Sequence, residues 1–243
     1  MKMSKRKKAF IFGNNKYAIE IANSVKSVYD VEFFVTDETS KIDFDGEYVR
    51  NVFDLSDEWY NEEKFRDYEN TIVFCTLEKE AENTFLAISL RSNFKELVLV
   101  AIATNKESVE KLKMAGVNKV IPIEQTTAEI ISDIIHNPIA SQVLHGILYE
   151  ESDLKIAQIE VENAEIFGGE YPADIDWSRY RGIVVLSIMH KDLTTEFIYS
   201  SKAKRHKLQN GDMIIVVGYE ADIQEFEKLV GSRKYVNWSD WSW

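Results

Sequence analysis

Apolar residues in the first half of the chain cluster in short unbroken runs: "KAFIFG" (8–13), "VEFFVTD" (31–37), "NTIVFCT" (70–76), "ELVLVAIA" (96–103) and "KVIPI" (119–123). Amphipathic segments separate them at 15–28, 57–66, 79–92 and 106–115, and "EYVRNV" (47–52) adds a further short strand. Continuous rather than alternating apolar strands are what a parallel sheet requires when helices cover both of its faces. This rhythm predicts an α/β fold with a Rossmann-like, doubly wound parallel sheet.

After Pro122 the pattern changes. "TTAEIISDIIHNPIASQVLHGILYE" (126–150) is helical on both sides of Pro138, which must kink or break it, so a helical crossover is expected. From about residue 153 come separated strands, "LKIAQIEV", "GIVVLSIMH", "TTEFIYS" and "GDMIIVVG", then a helix, "EADIQEFEKLVG". His190 to Asp192 is read as the turn between two of these strands. The expected division is an N-terminal lobe over 1–135, a crossover over 136–152 and a smaller C-terminal α+β subdomain over 153–243. The stretch "FGGEYPADIDWSRYRG" (167–182) is longer than a simple connection, and Trp238, Trp241 and Trp243 suggest a docked tail or subunit contact.

The 243 residues, 45% hydrophobic and 29% charged, have the composition of an ordinary globular chain. A net charge of -12 argues against a general nucleic-acid binder. The single cysteine, Cys75, lies in an apolar run, which excludes disulfide frameworks and thiolate metal sites and makes it a small core residue. No apolar run approaches membrane-spanning length, and "MKMSKRKKAF" lacks a secretory apolar region, so a cytoplasmic location is expected. The basic start, Lys2, Lys5, Arg6, Lys7 and Lys8, reads either as a juxtamembrane cluster or as a solvated tail.

The first strand and helix, "KAFIFGNNKYAIEIANSV" (8–25), form a degenerate dinucleotide-binding turn. Gly13 keeps the tight bend, and Ala18 is small enough for helix–strand packing. Asn15 tolerates a left-handed conformation and can cap the helix, but its side chain crowds the phosphate path. Asp37, 24 residues after Gly13, ends the second strand where an acid would bond ribose hydroxyls and disfavour a 2'-phosphate. The ligand candidates are Gly13, Asn14, Asn15 and Asp37, with Thr76 at the mouth and Thr104 across the switch point.

A longer segment, Val73 to Glu124, resembles the regulator-of-potassium-conductance family, the RCK or TrkA-N domains of prokaryotic potassium channels and transporters. The resemblance lies in the acidic, asparagine-containing helix start at Glu80 to Asn83, in Arg91, and in "KMAGVNKVIPIE", where Gly116, Val120, Ile121, Pro122 and Glu124 are in register. Val117 and Asn118 replace the usual alanine and aspartate. Farther on, Leu208, Gly211, Asp212, "MIIVVG", Ile223 and Phe226 resemble the ending of the TrkA-C subdomain.

The resemblance implies a regulatory protein that is not an enzyme and senses a ligand, with NAD(H), ATP or ADP as candidates. It further implies pairing through the crossover around Ile130 to Leu148 into a homodimer, assembly of dimers into a ring, and action on a linked or docked potassium-channel pore subunit at the inner face of the membrane. The positions matching the family's calcium carboxylates are Thr76, Ile102 and Thr104, so calcium there is not expected and no metal is assigned.

Two alternatives remain open. A nicotinamide-dependent oxidoreductase would need a proton donor, and the Tyr-x-x-x-Lys match at Tyr60 to Lys64 lies before the fourth strand, far from where that pair belongs. The other is an interaction protein of the same fold with no pore partner. His136 and His145 lie in the crossover, and His206 is a loop residue. His190, Asp192 and Glu196 are conceivable around a metal, but a hairpin carrying solvated polar residues is preferred.

Overall fold

The structure, a computed structural model, describes residues 7–36, 48–56, 65, 67, 70–148, 153–191, 194–199 and 206–233. They fall into two units that meet in sequence between Ile131 and Ser132.

The first unit begins with β1 (Lys7–Phe12), α1 (Lys16–Val25), β2 (Tyr29–Val35), β3 (Val49–Val52) and β4 (Thr71–Cys75). It continues with α2 (Glu80–Asn93), β5 (Val98–Ala103), α3 (Lys106–Met114) and β6 (Lys119–Pro122). All six strands run parallel in the order β3-β2-β1-β4-β5-β6. The central strands are buried on both faces, which is why their sequences read as unbroken apolar runs.

On one face α1 lays Ala18 and Ala22 against Ile11, Phe33 and Val35. Small residues there let the helix lie close to the strands. On the other face Leu86 and Leu90 from α2 and Leu112 from α3 close over Phe10, Phe12 and Leu99. Phe12 stacks on Phe34 at 4.4 Å and Phe65 on Phe94 at 5.0 Å. Each such side chain contributes about 1.5–3 kcal/mol by leaving water. The helix expected over 57–66 lies almost entirely outside the described residues.

Next come α4 (Ile123–His136) and α5 (Pro138–Leu148). Pro138 has no N–H to offer the Ile134 carbonyl, which breaks the helix as expected. Helical bonding continues on either side, from Asn137 N–H to Asp133 and from Ser141 N–H to Asn137. Neither helix buries a single residue within the chain, although both are rich in isoleucine, valine and leucine.

In the second unit β7 (Leu154–Val161), β8 (Ile183–Met189), β9 (Thr195–Phe197), β10 (Met213–Tyr219) and β11 (Gly231–Arg233) form an antiparallel sheet in the order β11-β7-β10-β8-β9. Here the pattern alternates: Ala157, Ile159 and Val161 of β7 point inward, as a sheet with one covered face demands. Helix α6 (Glu220–Val230) buries Ile223, Phe226 and Val230 against it. The architecture is thus the expected parallel α/β unit followed by a smaller α+β unit.

The long 167–182 stretch is a folded strap. Phe167 and Ile175 are buried, Trp177 donates its indole N–H to the Pro172 carbonyl at 2.9 Å, and Tyr180 meets Phe226 edge-on at 5.0 Å.

Candidate functional site

In a doubly wound sheet the crevice opens beyond the carboxyl ends of the strands, where their order reverses. Here that point lies between β1 and β4. A crevice of about 790 Å³ occupies it, lined by Asn14, Asn15, Lys16 and Tyr17 on one side and by Thr76, Glu78, Glu80, Asn83, Ile102, Thr104 and Ser108 on the others. That volume is in the range that holds a drug-sized ligand or cofactor.

Gly13 begins the turn with φ +137°, and its N–H donates to Phe34 at 3.0 Å. A Cβ there would stand 2.5 Å from the Thr76 hydroxyl oxygen and 2.9 Å from its carbonyl oxygen, so only glycine fits. Thr76 is itself pinned, since its N–H and its hydroxyl both donate to the Phe12 carbonyl.

Asn15 departs from one expectation. Its backbone is extended, at φ -95° and ψ 176°, rather than left-handed. The side chain caps α1 by accepting from Ala18 N–H at 3.0 Å, and its amide donates to the Thr76 carbonyl. The residue therefore ties the helix start to the end of β4 instead of imitating the second glycine. The N–H groups of Lys16 and Tyr17, in the first turn, have no acceptor within the helix and carry its positive end, which suits an anion.

The opposite wall is acidic. The Glu80 carboxyl is held below the usual carboxylate range by hydrogen bonds from Ser108 first, then Thr104 and Asn105. Asn105 donates to it at 2.7 Å while capping α3 through Ser108 N–H. An ionised Glu80 repels phosphate and accepts from hydroxyl or amine groups. The crevice is thus polarised, with an anion-friendly side at α1 and a side for hydrogen-bond donors at β5.

The structure brings Asn14, Asn15, Thr76 and Thr104 together around this crevice, with Gly13 at its floor against Thr76. Asp37 lies outside the described residues, as do Tyr60 to Lys64 and the three tail tryptophans. Sequence reasoning missed the central part of Asn83. Buried in α2, its amide donates to the Cys75 and Ile102 carbonyls at 3.2 and 3.1 Å, and its oxygen accepts from Leu77 N–H at 3.1 Å. The available signal was its position on the stripe that also buries Leu86, Ala87 and Leu90. Asn83→Ala should cost about 3 kcal/mol in urea unfolding, since several buried backbone groups lose their partner together.

The motif residues around Arg91 and Gly116 form a clamp. Arg91 Nε donates to the Gly116 carbonyl at 2.9 Å and Nη2 to Asn118 Oδ1 at 2.7 Å, while Asn118 also accepts from Leu99 N–H at 2.8 Å. Cys75 is buried, and burial pushes its thiol up to about 12, consistent with an inert core residue. In the second unit the expected hairpin is present between β8 and β9, but His190 and Glu196 are buried rather than solvated, which corrects that part of the reading, and Asp192 lies outside the described residues. Strand β9 turns its glutamate inward and leaves Phe197 outside.

No family model matches the chain. Among curated proteins it is 24% identical over 168 residues, 67% of this chain, to "Probable potassium channel protein 2" of Methanocaldococcus jannaschii. It is 21% identical over 158 residues to "Potassium channel protein 1" of the same organism, 65% of this chain. The chain spans about half the length of these relatives, 48% and 46%. Among solved structures, the human SLO3 gating ring superimposes on 92% of this chain and 46% of its own with a TM-score of 0.63 at 9% identity, which speaks to fold alone. A GsuK channel bound to NAD aligns at a TM-score of 0.48 and 16% identity over 94% of this chain and 39% of its own, a level from which nothing about this chain follows. The motifs that resemble the RCK/TrkA-N family are thus joined by a distant similarity to two potassium-channel proteins and by a fold shared with a potassium-channel gating ring.

Proposed function

We propose that this chain is a ligand-sensing regulatory domain that controls a potassium channel or transporter, with an adenine nucleotide, NAD(H), ATP or ADP, as its ligand. The observation that carries the reading is the polarised crevice at the switch point, with the start of α1 on one side and ionised Glu80 on the other. Phosphates would sit at the N–H groups of Lys16 and Tyr17, and ribose hydroxyls or the base would face Glu80 and Thr104.

Pairing through α4 and α5 into a homodimer, and of dimers into a ring, would couple the crevice to a pore. Its mechanism is a ligand binding one ring conformation more tightly than another. Among the described residues no helix is long and apolar enough to cross a membrane, so the pore would lie on another segment or another chain. The domain would then work at the inner face of the membrane.

A thermal-shift panel of NAD, NADH, ATP, ADP, Mg²⁺ and Ca²⁺ tests the reading. A nucleotide at a hundred times its Kd stabilises the folded form by about 2.7 kcal/mol, which raises Tm by roughly 5–10 °C for a chain of this size. If no nucleotide moves the melting curve at millimolar concentration, Asn15 has closed the crevice and the sensor reading fails.

A further inference from the structure

The second unit holds a polar cluster that the nucleotide reading does not use. His190 follows β8, Glu196 lies in β9, His206 precedes β10, and Asp212 stands one residue before β10. His190 Nδ1 lies 3.0 Å from Asp212 Oδ2, the same oxygen that accepts from Gln209 N–H at 2.9 Å. A carboxylate only accepts, so Nδ1 of His190 carries a proton, and in the neutral imidazole Nε2 is then a lone pair.

That lone pair has no hydrogen-bond partner and is shut away from solvent. It faces Glu196 Oε2 at 3.8 Å, and this oxygen is equally buried and unpartnered. Two acceptors facing each other in a dry place are unfavourable unless something positive stands between them. His206 Nδ1 completes the group, 3.6 Å from Glu196 Oε1, with its ring 4.9 Å from that of His190. One ligand atom from each of His190, Glu196 and His206 lies within 4.8 Å of the others.

We propose that His190 Nε2, Glu196 and His206 Nδ1 bind a divalent transition-metal ion, Zn²⁺ by ligand preference, independently of the nucleotide crevice. Two imidazoles and a carboxylate are the donor set of three-ligand zinc sites, with bonds of about 2.0–2.2 Å and a fourth position left for water. Tetrahedral ligands at that bond length stand roughly 3.3–3.5 Å apart. The 3.8 and 3.6 Å spacings to Glu196 are already close to this, while the widest ligand spacing, within 4.8 Å, closes by a turn of the half-exposed His206 ring. Nitrogen donors disfavour calcium and magnesium, which take oxygen. Asp212 supplies the carboxylate that orients a metal-binding histidine from behind. The inverted burial of β9, with glutamate inside and Phe197 outside, is then explained: the strand is built around the ion rather than around an apolar core. Half-exposed His206 gives the ion its way in. Bound there, it would staple the β8–β9 edge hairpin to the segment leading into β10.

The test uses the full, tag-free chain stripped with a chelator, then titrated with Zn²⁺ by calorimetry and with Co²⁺ by visible absorption. The expected result is a single ion per chain, a tetrahedral Co²⁺ spectrum displaced by Zn²⁺, and a Tm raised by Zn²⁺ but not by Mg²⁺ or Ca²⁺. His206→Ala, at a half-exposed position that the fold does not need, should weaken Zn²⁺ by more than about 100-fold, beyond the roughly 10–100-fold loss expected of an outer change such as Asp212→Asn. His136→Ala and His145→Ala should leave binding unchanged. Absence of Zn²⁺ binding overturns the proposal, as does binding that survives both His206→Ala and Glu196→Gln. A doubly protonated His190 would then be what bridges the two carboxylates.

Discussion

Ile135→Glu and Ile139→Glu are expected to turn the proposed α4–α5 dimer into a folded monomer. The two side chains are 70% and 78% exposed, on either side of the Pro138 break, in helices that bury nothing within their own chain. In an isolated chain a glutamate at such positions changes stability by no more than about 0.5 kcal/mol. In a twofold interface every substitution counts twice. Burying an isoleucine is worth about 1.5–3 kcal/mol, so losing it in both copies costs roughly 3–6 kcal/mol before any charge is buried. That corresponds to a dimer dissociation constant weakened by about 10²–10⁴. Sedimentation velocity should show the mass halved, with circular dichroism and Tm close to those of the parent at low concentration. A variant that stays dimeric would place the subunit contact elsewhere and leave this apolar surface without an explanation.

Gly13→Ala should be the most damaging single-methyl change in the first unit. The new carbon would lie 2.5 Å from the Thr76 hydroxyl, which cannot turn away without giving up its 2.8 Å bond to Phe12. It would also press on the Thr76 carbonyl, the acceptor for the Asn15 amide. Left-side backbone strain costs about 1–3 kcal/mol and overpacking another 1–3, so a loss of about 2–6 kcal/mol is expected in urea unfolding. This is a large share of the 5–15 kcal/mol that usually holds a domain folded. Gly168→Ala provides the contrast. At φ +62° its Cβ would meet nothing within 4 Å, and the loss should stay near 1 kcal/mol. Equal losses at the two positions would mean that the packing of β1 against β4 at this turn is looser than the geometry indicates.

The parallel unit was legible in the sequence because its central strands are buried on both faces. "NTIVFCT" and "ELVLVAIA" can hardly be anything else between helical segments, and Gly13, Thr76 and Thr104 are strand-end residues that a switch point must bring together. Asn83 was not legible as a pivot, because its partners, Cys75, Leu77 and Ile102, belong to the ends of two strands joined only by the fold. Asn15 was half read. Its capping role follows from position, whereas its bond to Thr76 depends on a tertiary contact across the crevice.

The burial of His190 and Glu196 was not legible. The rule that apolar residues face inward would place Phe197 inside and Glu196 outside, and β9 does the reverse. A three-residue strand is too short to reveal its own register; pairing with β8 sets it. In the 167–182 strap only the excess length showed in the sequence, while Phe167, Ile175 and Tyr180 had partners on α6 and the sheet that only folding supplies.

The gating reading rests on a nucleotide that changes how paired copies are disposed. Cys75 is buried, so a spin label on an added surface cysteine, Met114→Cys at an 81% exposed site, reports that disposition alone. Pulsed electron resonance between the labels of a dimer is predicted to show one distance distribution in the nucleotide-free chain and a shifted one once NAD or ADP saturates it. Binding that leaves the distribution unmoved would contradict a regulatory role for the crevice.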